Sequence, residues 1–447
     1  MRERYEAYKD SGIEWIGEIP EEWDTIPFSL ATERLSTGLN PRNNFTLTKD
    51  DAFFYVTIKN FKNGELLLND DCDRIDKQAW EVIQQRSNLA VGDILFASIS
   101  SEPNAYIITS DPLDWNINES VFSIRVNKKY YDTNFFFYCI TDEGFFNSLR
   151  AKATGATFVS IKQNMLNQSR LVLPDIMQQK TIVDYLDSAT AKIDELVEDC
   201  EREVELLQEY RKAVISEAVT KGLDPNAPMK DSGIEWIGEI PEKWLSSSLS
   251  SVTSMITNGY VGPTRNLFVD EGVRYLQSLH IVNGQLDFEK HPYFVSKEWS
   301  NAHSRSCLLE GDVLVVQTGA IGSCAYVDHS YEGCNCHALI ILRPDDETIS
   351  GRFLYYYLLS DIGKEKMLLT RTGATHPHLN STKIKFTSIV VPPIEEQNSI
   401  VVYLDTQTAE IDSLIEARQE MAEKLREYRK SLISEAVTGK FKVPGVE

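Results

Sequence analysis

The residues with the clearest capacity for chemistry lie in the stretch Cys324–His337, which holds three cysteines and two histidines. Thiolates and imidazoles this close in sequence can bind zinc. The stretch has no Cys-x2-Cys pair, however, and in a strand the neighbours Cys336 and His337 would point to opposite faces. The matching part of the first half of the chain, residues 114–120, has no such ligands. We therefore expect ordinary strand and loop cysteines, no metal and no cofactor, with a zinc-dependent enzyme as an alternative.

Motifs for other catalytic chemistry are absent from the sequence. No Gly-x4-Gly-Lys-Ser/Thr occurs, and Gly319-Ala-Ile-Gly322 lacks the lysine that contacts phosphate. There is no Asn-Pro-Pro-Tyr or Asp-Pro-Pro-Tyr motif of amino-methyltransferases, and the nearest sequence, Pro392-Pro393, follows Val391. The sequence therefore predicts no catalytic residues.

Length and composition limit the classes of protein to which the chain can belong. At 447 residues it suits two or more domains, and its 42% apolar and 25% charged residues are typical of globular proteins. No apolar run reaches the roughly 18–20 residues of a membrane span and the chain begins with charged residues, so we expect a cytoplasmic location. A formal charge of -22 is unfavourable for a lone nucleic-acid binder.

The chain is a tandem repeat of a unit of about 220 residues. KDSGIEWIGEIPEEW, Lys9–Trp23, returns as KDSGIEWIGEIPEKW, Lys230–Trp244, and we call these two stretches the opening segments. EYRKAVISEAVT, Glu209–Thr220, returns as EYRKSLISEAVT, Glu427–Thr438. Between residues 29–73 and 249–290, by contrast, no convincing register joins the copies. One part of each unit therefore has a shared task, and another part has a task that differs between the copies.

Each copy divides into a mixed domain and a long helical segment. Short β-branched and aromatic runs separated by Gly, Asn and Pro predict the strands of an α+β domain. The runs are Phe53–Ile58, Asp93–Ile99, Val121–Val126, Asp312–Gln317, Ala338–Leu342 and Thr387–Val391. Pro174 and Pro392-Pro393 precede the helical segments, and we expect the two junctions to differ in angle because their sequences differ. The predicted divisions are domains at 1–175 and 223–393 and helices at 176–222 and 394–441.

The helical segments carry apolar residues at heptad spacing among charged residues, which predicts a coiled coil. A first stripe includes Leu186, Ile193, Leu207, Leu404, Ile411 and Leu425, and a second stripe includes Leu196, Tyr210, Leu414, Met421 and Tyr428. An antiparallel pair would place one domain at each end and relate the copies by an approximate two-fold axis. Two separate amphipathic helices are the alternative.

In this arrangement the sequence resembles the specificity subunit of Type I restriction-modification systems. The resemblance covers essentially the whole chain and rests on the opening segments, VGDILF and EGDVLV, TGAT twice, the proline junctions and the EYRK…ISEAV helix ends. It implies a noncatalytic subunit whose two target-recognition domains each read one half of a split double-stranded DNA sequence, with the helices as a spacer. It also implies that two modification (methyltransferase) subunits dock on the helices and that restriction subunits join through them. A noncatalytic protein-interaction scaffold is the alternative.

Three loops in each copy have the polar, flexible and cationic side chains that a DNA-reading domain needs. Arginine can bond guanine, and asparagine adenine, through two hydrogen bonds, whereas TGAT suits either a phosphate contact or a helix cap. Loop one is Ser36–Asn44 or Thr257–Arg265, loop two is Ser98–Asn104 or Gln317–Ser323, and loop three is Thr154–Lys162 or Thr372–Asn380. The candidate contacts are Thr37, Asn40, Arg42, Asn43, Ser98, Ser100, Thr157, Ser160, Lys162, Asn258, Tyr260, Thr264, Arg265, Gln317, Thr318, Thr375, His376 and His378. Simple turns with solvated side chains are the alternative.

The long helices account for part of the negative charge. Residues 175–221 hold 12 acidic and 6 basic side chains and residues 395–440 hold 10 and 6, together 10 of the 22 excess negative charges. Such charge is typical of the solvated face of a coiled coil. Because the remainder lies elsewhere, we expect weak DNA affinity for the isolated chain, with the modification subunits neutralising most phosphates.

The opening segments invite two interpretations. In the simpler one, each segment only begins its domain, with a turn at KDSG and two tryptophans for packing. In the sharper one, each segment docks against the EYRK…ISEAV end of a long helix. The second interpretation predicts an equivalent environment for both copies and so accounts for their identity.

Overall fold

The computed structural model describes residues 2–42, 44–62, 64–152, 160–373 and 377–446. Two long helices, Ile176–Lys221 and Ile394–Val437, each follow one copy of the mixed domain. The chain forms two units, residues 1–200 with 420–447 and residues 201–419. Each unit therefore contains one mixed domain and a half of each long helix. None of the described helices combines the length and apolar composition needed to cross a bilayer.

The first domain mixes short strands with short helices, as predicted for the α+β class. Its strands are Tyr8–Asp10, Glu18–Pro20, Asp24–Pro27, Thr32–Thr37, Phe53–Val56, Phe61–Lys62, Glu65–Leu66, Arg74–Ile75, Ile94–Ala97, Ala105–Ile107, Trp115–Ile117, Val121–Val126 and Arg170–Leu173. Its helices are Phe28–Ala31, Lys77–Ser87, Thr133–Thr141, Glu143–Ala151 and Gln163–Asn167, with a 3-10 turn at Ile58–Asn60.

The second domain repeats this order. Its strands are Met229–Asp231, Glu239–Pro241, Leu245–Ser248, Thr253–Asn258, Phe268–Val269, Val273–Leu276, Ile281–Val282, Gln285–Leu286, Phe294–Val295, Val313–Val316, Cys324–Tyr326, Asn335–Cys336, Leu339–Pro344, Arg371–Thr372, His378–Leu379 and Ser388–Val391. Its helices are Leu249–Val252, Lys297–Ala302, Gly351–Leu359, Asp361–Leu369 and Ser381–Ile384, with 3-10 turns at Ser278–His280, Ser304–Ser306 and His329–Tyr331. All six runs predicted as strands contain a strand.

A four-stranded antiparallel sheet, the main sheet, lies at the centre of each domain. Its order is 105–107, 94–97, 121–126, 32–37 in the first domain and 324–326, 313–316, 339–344, 253–258 in the second. Ile94 and Phe96 pack into the cluster that holds the helices of the first domain, while Leu95 and Ala97 pack into a separate cluster. Because side chains alternate along a strand, both faces of the main sheet are covered and its position is fixed.

The regions that lack a sequence register, 29–73 and 249–290, nonetheless share a fold. Phe53–Val56 pairs in parallel with Trp115–Ile117, and Val273–Leu276 pairs in parallel with Asn335–Cys336. In both domains a 3-10 turn and a short hairpin follow this strand. The two regions therefore correspond in structure although their sequences do not align. A fold requires apolar residues of suitable size at only some positions.

The Gly-Asp motif shared by both copies has a structural explanation. Asp93 is buried and receives two hydrogen bonds of 2.8 Å from Arg125. Asp312 receives the same two bonds, also of 2.8 Å, from Arg343. A buried carboxylate needs such a paired partner, so this ion pair constrains both residues in both copies.

The junctions between domain and helix contain the same buried glutamine. The Gln179 side chain accepts from the N–H of Asp132 and donates to the carbonyls of Tyr130 and Pro174 at 2.8 to 3.0 Å. In the second copy Gln397 makes the corresponding bonds to residues 350, 348 and 392 at 2.8 to 3.0 Å. The same three bonds therefore hold both junctions, and the expected difference in angle stays a prediction.

Halves of the two long helices pair in opposite directions within each unit. In the second unit Arg211 bonds Asp412 at 2.8 Å, and Glu203, earlier in the first helix, pairs with a residue later in the second helix, Arg418. In the first unit Arg429 bonds Asp194 at 2.8 Å. The alternative of two separate helices is therefore wrong, and the antiparallel direction is confirmed within each unit.

The two stripes of the predicted heptads differ in burial. Leu186, Ile193, Leu404 and Ile411 of the first stripe are between 0% and 6% exposed, and Leu207 and Leu425 are half-buried. The second-stripe residues Leu196, Tyr210, Leu414, Met421 and Tyr428 are between 47% and 54% exposed. These side chains flank the seam and stay about half open, because a pair of helices buries one seam and leaves part of each helix exposed.

Each opening segment packs against the end of a long helix. In the first unit the Lys440 ammonium donates to the Glu18 carbonyl at 2.6 Å, and in the second unit Lys221 donates to the Glu239 carbonyl at 2.5 Å. The apolar side chains of each segment belong to the same core cluster as that helix end. The docking interpretation is confirmed, and equivalent surroundings explain why the two segments are nearly identical.

Candidate nucleic-acid interface

In the first domain, the three predicted loops meet at one edge of the main sheet. Phe122 of a central strand pairs with Thr37 on one side and with Phe96 on the other, so loops one and two leave the sheet at the same edge. The N–H of Ile161 in loop three donates to the Ser98 carbonyl in loop two at 2.8 Å. Loops one and two and the described end of loop three, residues 160–162, therefore lie next to one another.

The second domain brings its loops together in the same way. Ile340 pairs with both Asn258 and Val315, which places loops one and two at a common edge. The N–H of Leu379 in loop three donates to the Gln317 carbonyl at 3.1 Å, and the Gln317 side chain donates to the Asn258 side chain at 2.5 Å. The amide side chains of Gln317 and Asn258, both predicted contacts, are thus joined.

A glycine fixes the start of loop one in both domains. The N–H of Gly38 donates to the Asn118 carbonyl at 3.1 Å, and a Cβ at Gly38 would lie 1.6 Å from the Ile117 carbonyl oxygen. A Cβ at Gly259 would lie 2.6 Å from the Cys336 carbonyl oxygen. No larger residue fits at either position, so both domains require glycine where loop one begins.

Loop one of the first domain presents a free cation on an anchored backbone. The Tyr55 hydroxyl donates to the Leu39 carbonyl at 2.6 Å, and the Asn44 side chain donates to the Asn40 carbonyl at 2.8 Å. Arg42 is exposed and has no ion-pair partner among the described residues. Its guanidinium is therefore available for an external acceptor.

Loop one of the second domain is anchored by aromatic packing. The half-buried Tyr260 ring lies edge-on to Trp299 and His303, with ring centroids 5.0 Å apart in both cases. Thr264 is half-buried, and Arg265 is exposed without an ion-pair partner in the described part of the chain. Tyr260 thus holds the loop in place, while Arg265 takes the position of the available cation.

Loop two differs in part from the prediction. Ser98, a predicted contact, is buried. Its N–H donates to the Ser120 carbonyl, and its carbonyl accepts from the N–H of Ile161. The Ser100 hydroxyl is half-buried and accepts from the N–H of Glu102 at 3.4 Å. Thr318 in the second domain is exposed. Ser98 therefore supports the loops through its backbone and does not offer its side chain to a ligand.

Loop three contributes exposed side chains at its described end. Lys162 is exposed and Ser160 is half-buried. His378 is exposed, with Nε2 3.1 Å from the Thr372 hydroxyl. The remaining predicted contacts lie outside the described residues: Asn43, Thr157, Thr375 and His376.

This duplicated surface belongs to a known kind of protein. A family model described as the Type I restriction modification DNA specificity domain matches residues 43–206 and again residues 241–424. The chain belongs to this family. Each match covers most of one domain and part of the long helix that follows it, so the two halves of the repeat are two DNA specificity domains.

Individual relatives and solved structures agree with the family match. The chain is 25% identical to the Type I restriction enzyme EcoBI specificity subunit of Escherichia coli over 78% of this chain and 73% of that protein. It is 24% identical to the putative MjaX specificity subunit of Methanocaldococcus jannaschii over 96% of both chains. The fold is similar to that of a chain from a structure on complex assembly and conformational transition of the type I R-M system (TM-score 0.71, 20% identity, 94% of this chain and 98% of that one). It is also similar to the HsdS subunit from Thermoanaerobacter tengcongensis (TM-score 0.53, 18% identity, 95% and 98%).

Two cations at the loop edge of the first specificity domain were not predicted from the sequence. The Arg86 guanidinium donates to the Thr37 hydroxyl at 3.2 Å, and Arg150 donates to the Ser101 carbonyl at 3.0 Å. The second domain has an exposed Arg305 where the first has Arg86. The sequence contains a pattern that could have identified Arg86 and Arg305, because an Arg-Ser pair precedes the Gly-Asp motif at the same spacing in both copies.

The three cysteines of the stretch Cys324–His337 are buried in the apolar clusters of the second specificity domain. Burial raises the pKa of Cys324 to about 12 and that of Cys334 to about 11. Among the described residues, ligand atoms come within 4.8 Å of one another in an exposed group that contains no cysteine, Glu310, His329 and Glu332. The cysteines are thus core residues.

Proposed function

We propose that the chain is the noncatalytic DNA-recognition subunit of a Type I restriction-modification complex and that each specificity domain reads one half of a bipartite double-stranded target. The observation that carries the proposal is the duplicated loop edge. Both domains use the same sheet, a glycine at the same place in loop one and the same backbone bond between loops two and three. The side chains on those loops differ, as two readers of different half-sites require.

The exposed side chains of the loop edges are the proposed base and phosphate contacts. Arg42 and Arg265 occupy loop one in the first and second domain, and each can bond the O6 and N7 atoms of guanine in the major groove. Lys162 and Arg86 in the first domain and Arg305 in the second supply positive charge for phosphates. Direct readout and backbone contact thus come from different residues of one surface.

The long helices are proposed to set the spacing between the half-sites. They contain 46 and 44 residues, which at a rise of 1.5 Å per residue correspond to roughly 65–70 Å of helix. Half-sites on one face of DNA lie about 34 Å apart, or a multiple of that distance. Paired helices are stiff enough to serve as a ruler on this scale.

The exposed second stripe is the proposed docking surface for two modification (methyltransferase) subunits. Leu196 and Leu414 occupy equivalent positions in the two helices, as do Tyr210 and Tyr428, and all four are about half exposed. A repeated surface suits two copies of one partner. Restriction subunits would join through the modification subunits, and these partners would supply the phosphate contacts that a chain of charge -22 lacks.

Substitution of the two loop-one arginines tests the assignment of half-sites. In the assembled complex, Arg42→Ala should relax one base pair in one half-site, and Arg265→Ala should relax one base pair in the other. Each change should weaken binding of the intact target by about 1–3 kcal/mol, the value of a bidentate pair. Selection from random-sequence DNA followed by affinity measurement at fixed salt gives both quantities.

Arg170→Ala is the matched control for these substitutions. Arg170 is exposed but lies on a strand that pairs with Asp24–Pro27, outside the main sheet. We expect it to leave both half-sites unchanged. Arginine variants that altered both half-sites alike, or neither, would contradict the proposal.

A further inference from the structure

The segment that follows the second long helix packs against the start of the first one. We call Phe441–Val446 the tail. Phe441, Val443 and Val446 are between 1% and 6% exposed and belong to the same apolar cluster as Leu186. The Phe441 ring lies edge-on to Tyr185, with centroids 6.0 Å apart. The tail is therefore part of the core of the first unit.

The corresponding face in the second unit has the same plan and leaves apolar side chains exposed. Tyr403 of the second long helix corresponds to Tyr185 of the first, and Leu404 corresponds to Leu186. Tyr403 is 38% exposed and the adjacent Val402 is 67% exposed. Leu223, in the segment that follows the first long helix, is itself 41% exposed.

This uncovered face continues into the second stripe. Tyr403, Leu414 and Met421 are eleven and seven residues apart in sequence, so they lie about three and two helical turns apart on one side of the helix. Tyr185 stands in the same relation to Leu196 on the first long helix. The tail thus covers one end of the exposed stripe on the first helix and leaves the matching end on the second helix open.

The charges around the two faces show what kind of segment fits them. The tail region carries Lys440 and Lys442 next to its aromatic and valine side chains. Near the open face the second helix presents the exposed carboxylates Glu395 and Glu410. A short, basic and apolar segment with one aromatic ring matches the face in both charge and apolar surface.

We propose that the start of the second long helix docks a short basic, apolar segment of a methyltransferase subunit, and that the tail occupies the counterpart of this site on the first long helix. This inference rests on the proposed function, which supplies the partner. Its consequence is that the two docking surfaces are unequal. A methyltransferase subunit at the first helix must displace the tail or dock without this contact.

A synthetic peptide of residues 439–447 is the first probe. A labelled peptide should bind the full chain at one site, and Tyr403→Ala should weaken that binding about tenfold, a typical cost for truncating a central aromatic contact. The matched variant Tyr185→Ala should leave binding at that site unchanged. A chain that ends at Lys440 should bind two peptides. If this shortened chain fails to fold, the full chain with Phe441→Ala replaces it in the test and should likewise bind a second peptide. A peptide that does not bind, or that binds regardless of Tyr403→Ala, overturns the inference.

Titration with the methyltransferase subunit of the same system separates this inference from the proposed function. We expect two binding steps whose dissociation constants differ at least about tenfold in the full chain, because one docking surface lacks this contact. When the tail is removed, the two dissociation constants should become equal. Two equal steps in both proteins would overturn the inference and leave the proposed function intact. No binding by either protein would overturn the proposed function itself.

Discussion

The surroundings of the Gly-Asp motif and of loop one contrast within the same domain. Asp93 and Asp312 make the same bonds to an arginine in both copies, atom for atom. Loop one keeps only its glycine, and its support changes from a hydroxyl bond at Leu39 to aromatic packing around Tyr260. Sequence identity therefore marks positions where a buried polar group needs one particular partner, whereas apolar support permits exchange.

The same contrast separates the scaffold from the readers across the whole chain. The hydrogen bonds of the buried glutamine at each junction repeat almost without change. So do those of Lys440 and Lys221, which bind the opening segments. The loop edges repeat their backbone and change their side chains. The repeat thus preserves geometry while it leaves the recognition surface free to differ.

The largest effect is expected from lengthening the scaffold while both readers stay intact. A seven-residue insertion after residue 202 and another after residue 420 preserve the heptad phase and lie midway between the conserved ion-pair residues of each helix. Each adds about 10 Å of helix, which corresponds to about three base pairs. Binding to the original target should fall at least about 1,000-fold, to the nonspecific level.

The identity of the newly preferred target decides this experiment. Selection from random-sequence DNA should recover both original half-sites with a gap longer by about three base pairs. Insertion into one helix alone is the control, since the seam then loses its register and no single new gap should emerge. Recovery of the original gap would exclude the helices as the ruler.

A smaller but still large effect is expected from the conserved buried ion pair. Asp93→Ala should destabilise the first domain by about 3 kcal/mol, the lower end of the range for a broken buried pair, because Arg125 is 29% exposed. Asp312→Ala should destabilise the second domain equally, since Arg343 is 25% exposed. Hydrogen exchange followed by mass spectrometry measures the two domains separately within one chain.

The exposed Asp111 provides a control for these changes, and Asp111→Ala should alter neither domain measurably. A difference greater than about 1 kcal/mol between the Asp93 and Asp312 variants would show that the shared motif is not equally important in both copies. The contrast between scaffold and readers would then need revision.

Much of the fold was predictable because its determinants are local or repeated. The main-sheet strands follow from short apolar runs such as Val121–Val126, and the long helices follow from heptads around Ile193 and Ile411. The burial of the second stripe was not predictable, since heptad spacing alone does not state how many faces a helix buries. Leu196 and Leu414 have the right spacing for a seam and yet are exposed.

The loop edges were predictable as regions but less so as individual residues. Gly, Asn and Pro indicated where the loops lie, and the repeat indicated that they correspond. Whether Ser98 points inward or Arg86 reaches Thr37 depends on bonds between segments distant in sequence. The repeated Arg-Ser pair marks Arg86 but does not say which segment it reaches, so only the folded chain distinguishes a support from a reader.

The smallest expected effect concerns the ion pair that occurs once in each unit. Asp194 with Arg429 and Asp412 with Arg211 have matching geometry, but three of the four side chains are more than a third exposed. Double-mutant cycles with alanine should therefore give a coupling free energy of about 0.5 kcal/mol in each unit, which falls as salt rises. Reversing a pair, as in Asp194→Arg with Arg429→Asp, should restore part of the stability that Asp194→Arg alone removes. Hydrogen exchange in the long helices measures the coupling free energy in each unit. A coupling found in one unit alone would show that ion pairs of the same geometry do not stabilise the two units equally.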